Sequence, residues 1–172
     1  MPRKNRSVAG GAARQIAAMT FHILGLPAAP FTELFTLSDT ELAARGAVRV
    51  IAEAGSGYPC RISLTDAEPG QAVILVHFEH HPVASPYRAS HAIYVRDGET
   101  TYDAVDQVPD QLRKRLLSVR AFDRAGMMLA ADIVEGRELE GLIARLFADD
   151  RAAYLHAHYA RQGCYAARIE RG

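Results

Sequence analysis

Tryptophan is absent from this 172-residue chain, cysteine occurs only twice, and neither sign of charge is in excess. Lys+Arg and Asp+Glu both number 20, so the formal net charge at pH 7 is +0. A nucleic-acid binder would carry a basic excess or stripe, and none is present. No apolar run approaches the roughly 18 residues of a membrane-spanning helix. Glycine-rich phosphate loops are missing, as are Cys-x-x-Cys, His-Glu-x-x-His and acidic calcium loops. No nucleotide, nucleic-acid or membrane partner is therefore expected, and no cofactor.

The basic start, Met1 to Arg6, is followed by a Gly/Ala-rich segment that Arg14 and Gln15 interrupt. An export signal needs a continuous apolar stretch there, so a cytoplasmic location is expected. Two cysteines in such a chain read as thiols. Residues 1–18 read as a flexible extension and residues 19–172 as a single domain. With 49% hydrophobic residues, that domain can bury a sizeable core.

What is present is a series of short strands punctuated by turns. Thr20 to Gly25, Val48 to Ile51, Cys60 to Leu64, Ala72 to His80 and His91 to Arg96 read as strands, as do Leu117 to Phe122 and Met127 to Val134. Ser38 with Glu41 has the capping-box spacing of a short helix that stops near Gly46. Pro109 opens a second helix. Leu139, Leu142, Ile143, Leu146 and Phe147 have the i, i+3, i+4, i+7, i+8 spacing of an amphipathic third. Strands joined by turns with two to three helices between them predict an α+β fold with a mainly antiparallel sheet.

The chain closes with two alternating segments, Tyr154 to Ala160 and Cys164 to Glu170, around Arg161-Gln162-Gly163. A three-residue hairpin loop with Gly163 in the left-handed position pairs His156 with Arg168 and His158 with Ala166. Tyr154, His156, His158, Cys164, Arg168 and Glu170 then share one face. Leu155, Ala157, Tyr159, Tyr165 and Ile169 share the other. The polar face is either the solvated side of an edge hairpin or the lining of a semi-buried pocket. Its histidines, cysteine and tyrosine suit a pocket better than water.

Three chemistries are open to these groups. His156 and His158 are two residues apart and can offer two ligands to a metal. His77, Glu79 and His81 also alternate onto one face, but they span about 13 Å and cannot share one ion. A third ligand would have to come from elsewhere, so no metal site is expected. Cys164 beside His158 is a candidate nucleophile pair, with Cys60 a second cysteine to consider. Arg61, Tyr87, Arg88 and His91 lie in or after proline-containing loops at strand entrances, where binding groups usually sit. An arginine fork there matches the oxygens of a carboxylate or phosphate.

Gly57-Tyr58-Pro59-Cys60-Arg61, Ser85-Pro86-Tyr87-Arg88 with His91 to Arg96, and His158 to Arg168 with Gly163-Cys164-Tyr165 together resemble the bacterial family known as domain of unknown function 1203. The resemblance runs from about Thr20 to Arg171. It implies a small, soluble, stand-alone bacterial protein. It implies no activity and supplies no catalytic residue.

The residues support three readings. One is a protein binding a small anionic metabolite through Arg61, Tyr87, Arg88, His91, His156, His158 and Arg168. Another is an enzyme using Cys164 or His158 for group transfer or hydrolysis. The last is an interaction module that docks through a sheet face. The oligomeric state is left open.

Overall fold

The computed structural model describes residues 20–55 and 57–172; the extension expected at residues 1–18 lies outside them. Among the described residues, nine strands form two antiparallel sheets. The larger has the order β5-β1-β9-β8-β6-β7, from β1 (Phe21–Leu24), β5 (Asp103–Val105), β6 (Leu116–Phe122), β7 (Met128–Glu135), β8 (Tyr154–Tyr159) and β9 (Tyr165–Arg171). The smaller is β2-β3-β4, from β2 (Val48–Ile51), β3 (Ala72–His81) and β4 (Ala89–Val95). With the helices, the class is α+β, as the turn-linked strands predict. Among the described residues no helix is long and apolar enough to cross a membrane.

The described residues contain four short α-helices rather than two to three: α1 (Thr32–Thr36), α2 (Asp39–Ala44), α3 (Asp110–Arg113) and α4 (Leu139–Phe147). The additional one is α1. Pro30 lies in the first turn of the 3₁₀ segment Ala29–Phe31 that leads into it. A proline that breaks a strand has the φ that starts a helix, so it opens α1 instead of merely ending β1. The Ser38–Glu41 capping box of α2 forms on both sides. Gly46, just past that helix, has φ +69°, a conformation that favours glycine.

The segment Cys60 to Leu64 is not a strand. Only Cys60 pairs, in an isolated bridge with Tyr94, and no ladder continues from it. The chain turns instead. Cys60 N–H donates to the Thr65 carbonyl at 3.0 Å, and Leu64 adopts φ +51° to enter the core.

Each face of the larger sheet is covered. On one side α4 lays Leu139, Leu142, Ile143, Leu146 and Phe147 over Leu117, Val119, Leu155, Ala157 and Ile169. Burying side chains of this size stabilises by roughly 1.5–3 kcal/mol each, so this seam anchors the fold. A second core joins Ile74, Ile93 and Val95 of the smaller sheet to Leu26, Leu42, Ile62 and Tyr165. The closing hairpin is thus interior. β9 and β8 are flanked by β1 and β6, and all six residues of β8 are buried.

Candidate functional site

Two β-bulges create the most chemically dense region of the molecule. In β3, Glu79 pairs with Ser90 and His81 with Ala89, so His80 is an extra residue. Neighbours in a regular strand point to opposite faces. The bulge instead turns both rings toward β8, with ring centroids of His80 and His81 lying 5.6 Å and 4.9 Å from that of His156. In β9, Ala166 is the extra residue, between the pairs Ala157–Ala167 and His158–Tyr165.

The hairpin register therefore holds at His156–Arg168 but shifts nearer the turn. Tyr165 joins the histidine face, stacked on His80 at 4.6 Å and edge-on to His156 at 5.2 Å. Cys164 leaves that face. Its Sγ lies 3.1 Å from Arg61 Nη2, and it packs toward the core that contains Tyr159. His158 meanwhile bonds through Nδ1 to the Gly163 carbonyl at 3.0 Å. The expected Cys164–His158 pair does not form, because the extra residue inverts the alternation between them.

Hydrogen bonds assign the protons. His81 Nδ1–H donates to the Tyr87 carbonyl at 2.8 Å, leaving Nε2 to accept from the Tyr154 hydroxyl at 2.8 Å. His81 is thus fully satisfied. His158 donates through Nδ1, so its Nε2 carries a bare lone pair. His80 Nε2 and His91 Nδ1 lie 2.8 Å apart. Among the described residues, three buried ring nitrogens have no partner: His80 Nδ1, His156 Nδ1 and His158 Nε2. One nitrogen from each of these rings lies within 4.8 Å of the others. A buried polar atom without a partner costs about 1–3 kcal/mol, so three side by side need a reason.

Burial, reinforced by neighbouring positive groups, holds these imidazoles neutral. It takes His156 down to about 2 and His80 and His158 down to about 3. His91 is lowered too, by burial first and then by Arg120. Arg120 stands opposite His156 in the β6–β8 pairing and is half-buried. Among the described residues it has no hydrogen-bond or ion-pair partner. Burial pushes its guanidinium below the ordinary value.

Of the residues singled out from sequence, His91, His156 and His158 meet in this cluster. Arg168 sits at its rim, its guanidinium 3.9 Å above the Tyr154 ring and its Nε bonded to Glu170 at 2.6 Å. Tyr87 is at the rim as well, exposed, with its ring against Phe122. Arg88 is exposed and paired with Glu79. Arg61 is only 1% exposed and serves the backbone: it donates to the Tyr165 carbonyl at 2.8 Å and to the Pro59 carbonyl. With Cys164, Tyr94, Arg115, Tyr159 and Gln162 it lines a separate cavity of about 320 Å³. Cys60 is fully buried.

His80 and Arg120 are the cluster members that the sequence does not single out. An arginine alternating with Leu117, Val119 and Ala121 in a strand near the sheet centre was the available signal for Arg120. For His80 there was none, since a bulge has no fixed residue signature.

The chain matches the family model described as "Protein of unknown function (DUF1203)" over residues 57–171, more than half its length. The cluster lies within that span. No curated protein and no solved structure matches it.

Proposed function

The chain belongs to the DUF1203 family, and from that premise we propose that it is a binding protein for a small anionic molecule, held at the histidine cluster by Arg120. The single observation that carries this reading is the unpaired guanidinium. Arg120 is half-buried, has five donors, and meets no acceptor among the described residues. A partly desolvated cation without a counter-ion is costly, and an anionic ligand removes that cost. The other arginines considered for this role, Arg88 and Arg168, already have carboxylates. His80 and His91 are also half-buried, so the cluster is not sealed from solvent. Carboxylate and phosphate are the groups that match a guanidinium fork.

Thermal unfolding with and without inorganic phosphate, malonate and citrate, in the presence of a chelator, tests the reading. At least one anion should raise the midpoint of the wild type, because it binds only the folded state. The rise should vanish in Arg120→Gln and persist in Arg88→Gln. No rise in the wild type, or an equal rise in Arg120→Gln, would overturn it.

A further inference from the structure

We propose that His80, His156 and His158 form a binding site for one divalent transition-metal ion of the zinc class, with Nδ1, Nδ1 and Nε2 as its ligands. The proposal does not require the anion. It starts from two strands of different sheets, β3 carrying His80 and β8 carrying His156 and His158, that bring bare imidazole nitrogens close together. One nitrogen from each ring lies within 4.8 Å of the others. Ligands to a tetrahedral ion at about 2.0–2.1 Å sit about 3.3 Å apart, so small ring rotations complete the geometry.

Two of the three rings, His80 and His158, make the hydrogen bonds that metal-binding histidines use. A ligating imidazole donates its other N–H to a carbonyl or a further acceptor, which fixes the tautomer and aims the lone pair. His158 does this through Nδ1–H to the Gly163 carbonyl at 3.0 Å. In the proposed site, His80 Nε2–H donates to His91 Nδ1, which lies 2.8 Å away. The free nitrogens are then the three without partners. Stacking on Tyr165 holds the His80 ring, with planes 14° apart. Burial keeps the rings in the neutral form that ligates.

The donor set selects the ion. Three imidazoles with no carboxylate or thiolate do not suit calcium or magnesium, which take oxygen ligands. They suit Zn²⁺ and its neighbours Co²⁺, Ni²⁺ and Cu²⁺. Three protein ligands leave a fourth position, as in zinc sites that bind water or substrate. Neutral imidazoles do not cancel the charge of the ion, and Arg120 adds another positive charge nearby. Any ligand in the fourth position is therefore favoured if it is anionic.

The test uses the full chain, free of any histidine tag, stripped with a chelator and dialysed. Calorimetric titration with Zn²⁺ should show one ion per chain. Co²⁺ should give the intense visible bands of a four-coordinate site. His80→Gln and His156→Gln should each weaken Zn²⁺ by about a hundredfold or more, and His91→Gln by about tenfold. His22→Gln and His77→Gln should retain it. In the wild type, the imidazole NMR signals of His80, His156 and His158 should move on adding Zn²⁺ while those of His22 and His77 stay. That readout holds even if a variant does not fold. Absence of stoichiometric Zn²⁺ and Co²⁺ uptake by the folded wild type would overturn the proposal. So would unmoved cluster signals, or undiminished binding in folded His80→Gln. Loss of the anion response with Zn²⁺ uptake intact would sink only the anion reading.

Discussion

His80 and Tyr165 stack face to face, with ring centroids 4.6 Å apart and planes 14° from parallel, although they come from different sheets. Each owes its place to a bulge. His80 is the extra residue of β3, and Tyr165 precedes the extra residue Ala166 of β9. Bulges re-aim side chains next to sites, and here two of them meet. Tyr165 also closes the second hydrophobic core, so one side chain links the packing of the smaller sheet to the histidine cluster.

Tyr165→Ala should consequently damage both. Removing a buried aromatic ring costs about 3–5 kcal/mol. Urea denaturation should show a loss of that size. The His80 ring would lose its backstop, so Zn²⁺ affinity should fall even where the variant is still folded. A loss under about 1 kcal/mol would mean that the stacking contributes little to packing.

Much of the frame was legible in the sequence, and the site only in part. Val48 to Ile51 and the α4 spacing are read directly, because β-branched runs and 3.6-residue periodicity report local structure. Gly163 takes the positive φ expected of the turn, +75°, but His156 meets Arg168 only because the extra residue Ala166 offsets the one-residue shift nearer the turn. What alternation cannot show is a change of phase. One extra residue at Ala166 exchanged the faces of Cys164 and Tyr165, and one at His80 supplied a third imidazole. The interior position of the hairpin was equally hidden. It depends on β9 pairing with β1, nearly the whole length of the chain away.

Arg61 should prove to be a structural residue. Its guanidinium is 1% exposed and holds the carbonyls of Pro59 and Tyr165. Lysine keeps the charge and loses the planar fork, leaving acceptors unpaired at about 1–3 kcal/mol each. Arg61→Lys should lower unfolding free energy by about 2 kcal/mol or more in urea. A stable Arg61→Lys that had lost only its anion response would instead return Arg61 to the ligand-binding set.

Cys164 should react with a maleimide well before Cys60. Both are free thiols, but Cys164 is only half-buried and lines the Arg61 cavity, whereas Cys60 has no exposed surface. Peptide mapping after brief labelling at neutral pH should find the label on Cys164. Cys60 should be labelled only when denaturant is added. Equal labelling of the two in the native protein would show that the turn from Cys60 to Leu64 opens readily.

The metal-stripped protein should lose stability as pH falls from about 6.5, before its carboxylates titrate. The sign follows from the histidines. Burial holds His156 near 2 and His158 near 3 in the folded chain, while the unfolded chain takes up protons below the ordinary 6.5. Acid therefore favours the unfolded state. The stabilisation is complete above 6.5, shrinks with each step down, and is gone near 2–3. Each of these two rings can contribute up to about 1.4 kcal/mol per pH unit in that window. The groups facing them are His80, His81, His91, Arg120, Arg168, Tyr154 and Tyr165. None is a carboxylate that would support a charged imidazole. Ordinary carboxylates protonate near 4, so a decline between pH 6.5 and 5 isolates the histidines. Urea midpoints measured with chelator at pH 7, 6 and 5 should fall at each step, and His156→Leu should flatten the slope. A constant midpoint across that range would mean that the cluster admits protons in the folded state.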